Sequence, residues 1–157
     1  MKTIVLGIGN PILQDDGVGL HVIAALRDQV HSPDVTIETA YTGGMNLLDV
    51  IREYEKVILV DAIKHKGSRN GEVKRFVLPE ASSLHSSNPH EVSLSEALLL
   101  ARRLGEHPLP NEIIVIGIVV ENTHDFGEQL SREVAAAVPT AVQMVLGELR
   151  RVRGKET

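Results

Sequence analysis

A handful of acidic and imidazole side chains stand where this chain could do chemistry. Asp15 and Asp16 lie side by side between a glycine-containing turn and a helix-period run. Asp61 and Glu121 each close a β-branched run, and His90 follows Pro89 at a loop-to-helix junction. Carboxylates with an imidazole form a mixed O and N donor set that suits nickel, zinc or manganese, with geometry rather than ligand number deciding among them. The same groups serve general acid–base chemistry. Plainer roles compete. One aspartate of the pair caps a helix as readily as it binds a ligand, although two capping aspartates in a row are less expected. Asp61 could instead accept backbone N–H groups of the next loop. His85 competes with His90, and the roles of Asp15, Glu121 and His85 stay open.

The elements around these residues exclude several chemistries. Thr3 to Gly9 is an apolar run that ends in Gly7-Ile8-Gly9-Asn10-Pro11. A dinucleotide fingerprint would need a third glycine where Ile12 stands, and a phosphate loop would need Gly-Lys-Ser/Thr, which the chain lacks. The sign is also wrong, because Asp15 and Asp16 repel the anion that such a loop cradles. A zinc-protease helix beginning at His90-Glu91 would require a second histidine at Leu94. No Gly-x-Ser-x-Gly elbow is present.

Composition narrows the field further. The 157 residues, 43% of them hydrophobic, suit one domain spanning 1–157. With aromatics at only 3%, its core must be aliphatic. A net charge of −5 and scarce aromatic rings argue against nucleic acid as a partner. Without cysteine there are no disulfides, thiolate metal sites or thiol nucleophile. The longest uncharged stretch, Val134 to Gly147, is too short to span a membrane and contains Pro139. The run after Lys2 is too short for a signal peptide. A cytoplasmic protein without membrane contact is expected.

Taken in order, the pattern predicts a helix over Gly17–Val30 with Val18, Val22, Ala25 and Gln29 on one face and Leu26 beside them. His21 within it is expected to be partly exposed. A strand is predicted over Val35–Ala40, then a glycine loop at Thr42-Gly43-Gly44 and a short helix through Met45–Ile51. Lys56–Ala62 is continuously apolar until Asp61, as in a parallel strand buried on both faces. Glu72–Val77, with no helix before it, reads as a hairpin-like or edge strand, antiparallel to its neighbour. A helix over Glu91–Ala101, a buried strand over Ile113–Val120 and a helical tail over Gly127–Val152, interrupted at Pro139, complete the chain. This is an α/β chain: a three-layer α/β/α sandwich around a mostly parallel, twisted sheet of about five strands, one of them antiparallel. Parallel strands share one carboxyl edge, which would gather Asp16, Asp61 and Glu121 beside the Gly43-Gly44 loop, with His90 a further candidate.

At these residues the chain resembles the hydrogenase maturation proteases, endopeptidases that trim the C-terminal tail of the large subunit of nickel–iron hydrogenases. The resemblance rests on Gly7-Ile8-Gly9-Asn10 with Asp15-Asp16-Gly17-Val18-Gly19, Thr42-Gly43-Gly44-Met45 with Leu47-Leu48, Val60-Asp61-Ala62, Pro89-His90 and Gly117-Ile118. It implies that Asp16, Asp61 and His90 are both catalytic residues and metal ligands. It further implies that the metal is nickel carried by the large-subunit precursor, with no organic cofactor, so that cleavage reports completed nickel insertion. The chain departs from the family pattern at Ala40-Tyr41, where two glycines are common, and at Val120, where a proline is common. Two alternatives are a non-cleaving nickel-dependent chaperone and a peptidyl-tRNA hydrolase, which also opens on Gly-x-Gly-Asn-Pro but carries an Arg-His-Asn stretch where Asp15-Asp16-Gly17 stands. Oligomeric state and the choice of hydrogenase are not encoded in any of these patterns.

Overall fold

Alternating apolar strands and amphipathic helices assemble into three layers. The computed structural model describes residues 2–41, 47–78, 89–121 and 125–155, and for 89–93 and 152–155 the backbone alone. The strands are β1 (Thr3–Gly9), β2 (Val35–Tyr41), β3 (Lys56–Ile63), β4 (Val73–Leu78) and β5 (Glu112–Val119). They form one sheet in the order β2-β1-β3-β5-β4, parallel except for the β4–β5 pair. The helices are α1 (Val18–Leu26), α2 (Leu47–Ile51), α3 (Pro89–Arg103) and α4 (Arg132–Lys155). No described helix is long and apolar enough to cross a membrane.

Side-chain alternation divides the core between the two faces of the sheet. Val5, Ile58, Val60, Ile114 and Ile116 pack with Val22, Ile23 and Leu26 of α1 and with Val134, Ala141 and Val145 of α4. Ile4, Leu6, Leu59, Ile113 and Val115 pack on the other face with Leu48 and Ile51 of α2 and Leu94, Leu98 and Ala101 of α3. The central strands β3 and β5 are buried almost throughout, which is why they lack a polar alternation.

The sandwich, the five strands and the single antiparallel strand agree with the sequence pattern, and several boundaries differ. β4 pairs with β5 and not with β3, because β1 and β5 already occupy both sides of β3. α1 stops at Leu26, its last buried residue; Ala25 and Gln29 face solvent, and Ile23 takes their place in the core. His21 is exposed, as expected. α3 begins at Pro89, a residue suited to a helix's first turn because it lacks an N–H that would go unused there. His90 therefore belongs to that first turn. α4 begins at Arg132 and runs through Pro139 without a break. Pro139 and Ala135, one turn earlier, both face water, so the carbonyl that loses its helical donor stays solvated. The Thr42–Gly44 loop and His85 lie outside the described residues.

The amino edge of the sheet is closed by an ion cluster. Lys56, at the start of β3, is buried, and its Nζ lies 3.3 Å from Glu148 Oε2 and 3.2 Å from Glu112 Oε1. Glu148 also accepts hydrogen bonds from Arg75 Nε and, at 2.9 Å, from Arg151 Nη2. Burial works to raise the pKa of Glu148, but the bonds from Arg75, Arg151 and Lys56 reverse this and bring it from 4.5 down to about 2. A carboxyl whose folded pKa is depressed binds fewer protons than in the unfolded chain, so its stabilisation is present above the unfolded value and fades below it. Urea titrations should show Glu148→Gln less stable than wild type by a constant margin above about pH 5, with the gap closing as pH falls from 4.5 toward about 2. A gap independent of pH across that window would assign the stabilisation to packing and not to charge.

Candidate active site

The opposite, carboxyl edge holds the acidic residues, and glycine contacts fix its shape. A Cβ on Gly7 would lie 2.6 Å from the carbonyl oxygen of Gly19, and one on Gly9 would lie 2.3 Å from that of Asp16. A Cβ on Gly19 would lie 2.4 Å from Val60 O and 2.6 Å from Ile8 O. Backbone meets backbone at each of these points. The glycines of the Gly-x-Gly and Gly-Val-Gly pieces thus press the start of α1 onto the ends of β1 and β3. No phosphate is needed to explain them.

Between β1 and α1 the chain makes a tight turn. Asn10 Oδ1 accepts the Ile12 N–H at 3.1 Å, and a 3₁₀ turn follows over Gln14–Gly17. Gln14 takes φ of 39°, a left-handed value that costs a non-glycine residue about 1 kcal/mol. It is held there by its N–H bond of 2.8 Å to Gly127 O, while the Gly127 N–H returns a bond of 2.8 Å to Ile12 O.

The two neighbouring aspartates take different roles. Asp15 is buried and accepts the Ser131 N–H at 2.7 Å on Oδ1 and the Ser131 hydroxyl at 2.8 Å on Oδ2. It is a tie between the turn and the start of α4. Asp16 is only partly buried. Its Oδ2 accepts the Asn10 N–H at 2.9 Å, which fixes the carboxylate's direction. Its Oδ1 accepts no hydrogen bond from the described residues.

Asp61 is buried near the end of β3. Its neighbours Val60 and Ala62 belong to the α1/α4 face, so Asp61 belongs to the α2/α3 face. Gly7 pairs with Val60 in register, which sets the end of β1, and with it the Asp16 turn, next to Asp61. His90 reaches the same edge by a different route. Glu106, just beyond α3, pairs with Arg52 beyond α2, and the nearby Glu55 N–H bonds Lys2 O, so α3 ends at the amino edge. Its 15 residues rise about 22 Å, nearly the length of the strands, and this returns its first turn to the carboxyl edge on the face of Asp61. The His90 side chain lies outside the described residues. Among the described side chains no three acids or histidines gather closely enough to hold a metal ion.

Glu121 goes elsewhere. Its N–H donates to Asn70 Oδ1 at 3.1 Å, and it lines a polar cavity of about 450 Å³ with Arg69, Asn70, Gly71, Glu72 and Glu133. The strand-end position alone suggested a fourth member of the cluster. The neighbouring edge strand β4 draws the chain after β5 toward the Arg69–Glu72 loop instead. The Asp15–Ser131 tie was not expected either. Ser131 directly before a helix-period run is an N-cap signal that marks the true start of α4, but a partner 116 residues away leaves no local trace.

A three-layer α/β/α domain with an acidic carboxyl edge and a glycine-pressed first turn is an open-sheet enzyme domain, with its ligand side where such sheets keep it. Comparison with known proteins then specifies the family. The family model described as hydrogenase maturation protease matches residues 20–148. Hydrogenase 2 maturation protease of Escherichia coli is 30% identical over 153 residues, covering 96% of this chain and 92% of that protein. Hydrogenase expression/formation protein HupD of Thiocapsa roseopersicina is 30% identical, covering 92% of this chain, which spans 66% of that longer relative. Among solved structures, the hydrogenase maturating endopeptidase HybD from E. coli superposes with a TM-score of 0.82 at 29% identity, covering 97% of this chain and 94% of that one. The chain belongs to the hydrogenase maturation protease family and is a peptide-bond hydrolase of that family. This match favours the protease reading over the peptidyl-tRNA hydrolase alternative.

Two glycines should respond in opposite ways. Gly19→Ala forces a methyl against two carbonyl oxygens and should cost about 2–3 kcal/mol, as overpacking does. Gly147→Ala, inside α4 with nothing within 4 Å, should gain up to about 1 kcal/mol from helix propensity. Denaturant melts of both variants measure this, and equal effects would contradict the close-contact account.

Proposed function

We propose that the enzyme removes the C-terminal extension of a nickel–iron hydrogenase large-subunit precursor, in the cytoplasm and after nickel insertion. The observation that carries this reading is the Asp16 carboxylate. One oxygen is locked by the Asn10 N–H and the other is left without a described donor, at the edge shared by buried Asp61 and the first turn of α3. Such an edge seeks a cation, and in this scheme the cation arrives with the substrate.

Asp16, Asp61 and His90 then complete the coordination of the precursor's nickel. Two carboxylates and an imidazole are donors that nickel accepts. Nickel held by these residues would supply Lewis-acid polarisation of the scissile carbonyl. A carboxylate takes the proton from the attacking water, the new C–O bond forms, and the leaving amine collects a proton as the peptide bond breaks. Precursor without nickel offers nothing for the three residues to grip, so cleavage waits for insertion.

Neighbouring aspartates should separate structure from chemistry. Asp16→Asn and Asp61→Asn should each lower cleavage of nickel-loaded precursor by about a hundredfold or more, the range of a lost acid–base or metal-binding group. Mass spectrometry of the precursor's C-terminus reads this directly, and wild-type cleavage by either variant would refute their assignment. Asp15→Ala should instead lower the unfolding free energy, by about 1–3 kcal/mol for each donor left unpaired.

A further inference from the structure

The chain has only two phenylalanines and two tyrosines. Tyr54 and Phe76 pack against the α2/α3-side core. The other two do the reverse, with Tyr41 61% exposed and Phe126 79% exposed. Ile12 is 50% exposed. All three lie around the Asp16 turn. Tyr41 pairs in register with Gly9, the last residue of β1. Ile12 is two residues past Asn10, whose N–H orients Asp16. Phe126 precedes Gly127, which exchanges backbone bonds of 2.8 Å with Ile12 and Gln14.

The backbone at these positions is tied into the fold: Tyr41 closes β2 against Gly9, and Ile12 O accepts the Gly127 N–H. The Phe126 segment is stitched to the turn at Gly127 and again at Ser131, which bonds Asp15. Gly127 holds φ of 157°, and a Cβ there would come within 3.1 Å of the Gln14 side chain. A protein whose core is short of aromatic rings therefore holds half of them out in water, on fixed mounts, beside its acidic edge. Exposed apolar groups clustered on one edge mark an interaction surface, and aromatic anchors carry much of the binding energy in protein interfaces.

We propose that Tyr41, Ile12 and Phe126 form a docking rim for an apolar surface of the precursor polypeptide, which they seat so that the scissile segment lies over Asp16 and Asp61. The assignment rests on the proposed cleavage of a large-subunit precursor. A protein partner fits better than a small molecule, because the anchors come from three separated segments on an open edge and not from the walls of a concavity. Continuity with the acidic edge selects the substrate itself over any other protein. The rim holds the precursor equally before and during bond breaking, so it acts on substrate affinity and not on the chemical step.

The test uses the full chain and nickel-loaded, C-terminally extended large-subunit precursor from the same cell. Binding is measured by surface immobilisation of the precursor, and cleavage by mass spectrometry over a range of precursor concentrations. Tyr41→Ser, Ile12→Ser and Phe126→Ser should each raise Kd and KM about 5- to 30-fold, the effect of one lost anchor. The maximal rate should fall less than about threefold. Phe126→Leu should restore most of the binding lost in Phe126→Ser. Leu104→Ser, exposed beyond the end of α3 at the opposite, amino edge of the sheet, should bind like wild type. Unchanged Kd in all three rim variants, or an equal loss in Leu104→Ser, overturns the proposal, as does a wild-type protein that does not bind this precursor. If wild type binds but does not cleave, the Kd series still decides the rim, and the cleavage reading alone fails.

Discussion

Backbone-to-backbone contact between the start of α1 and the ends of β1 and β3 is the constraint on which the rest of the molecule depends. Gly7, Gly9 and Gly19 leave no room for even a methyl group, so the helix cannot be displaced outward without breaking contact with the sheet. That contact anchors both ends of the Asn10–Gly17 connection, within which the bond to Gly127 O holds Gln14 in a left-handed conformation. It also turns one aspartate inward and its neighbour toward the edge. Adjacent carboxylates on a relaxed loop would share one environment. Here one is a buried tie and the other is aimed by a single N–H.

The sheet assigns its two edges opposite electrostatic tasks. At the amino edge every charge near Lys56 is matched, and Glu148 is shared among three cations. Buried pairs of this kind contribute little net stability, but losing one partner is expensive because a desolvated charge stays behind. At the carboxyl edge Asp15 is satisfied by Ser131, while Asp16 keeps an oxygen in reserve. Charge is neutralised where the fold is closed, and one carboxylate oxygen is left without a described donor at the other edge.

Layer order, parallel strands and the acidic edge were legible in the sequence because they depend on local period and on the strand ends at Gly9 and Asp61. The apolar runs of β3 and β5 announce burial on both faces without knowledge of their neighbours. What could not be read depends on contacts between distant segments. The pairing of β4 follows from which side of β3 is already taken. The end of α1 follows from where the core stops. The continuity of α4 follows from Pro139 facing water. Of the candidate site, the types and order of the proposed residues Asp16, Asp61 and His90 are visible in the chain. The division of labour between Asp15 and Asp16 is not, since both look alike until Ser131 arrives from the far end.

That arrival sets an order of events during synthesis. α4 is the last of the described helices, and it completes both edges: Ser131 just before it secures Asp15, and Glu148 near its end neutralises Lys56. Its apolar stripe also covers the α1 side of the sheet. Until residues 131–148 have left the ribosome, one sheet face is covered by α1 alone, a lysine in the sheet lacks one of its two carboxylate partners, and the turn that aims Asp16 lacks its tie to Ser131. The last stretch of the chain to be made therefore closes the core and fixes the acidic turn in one step.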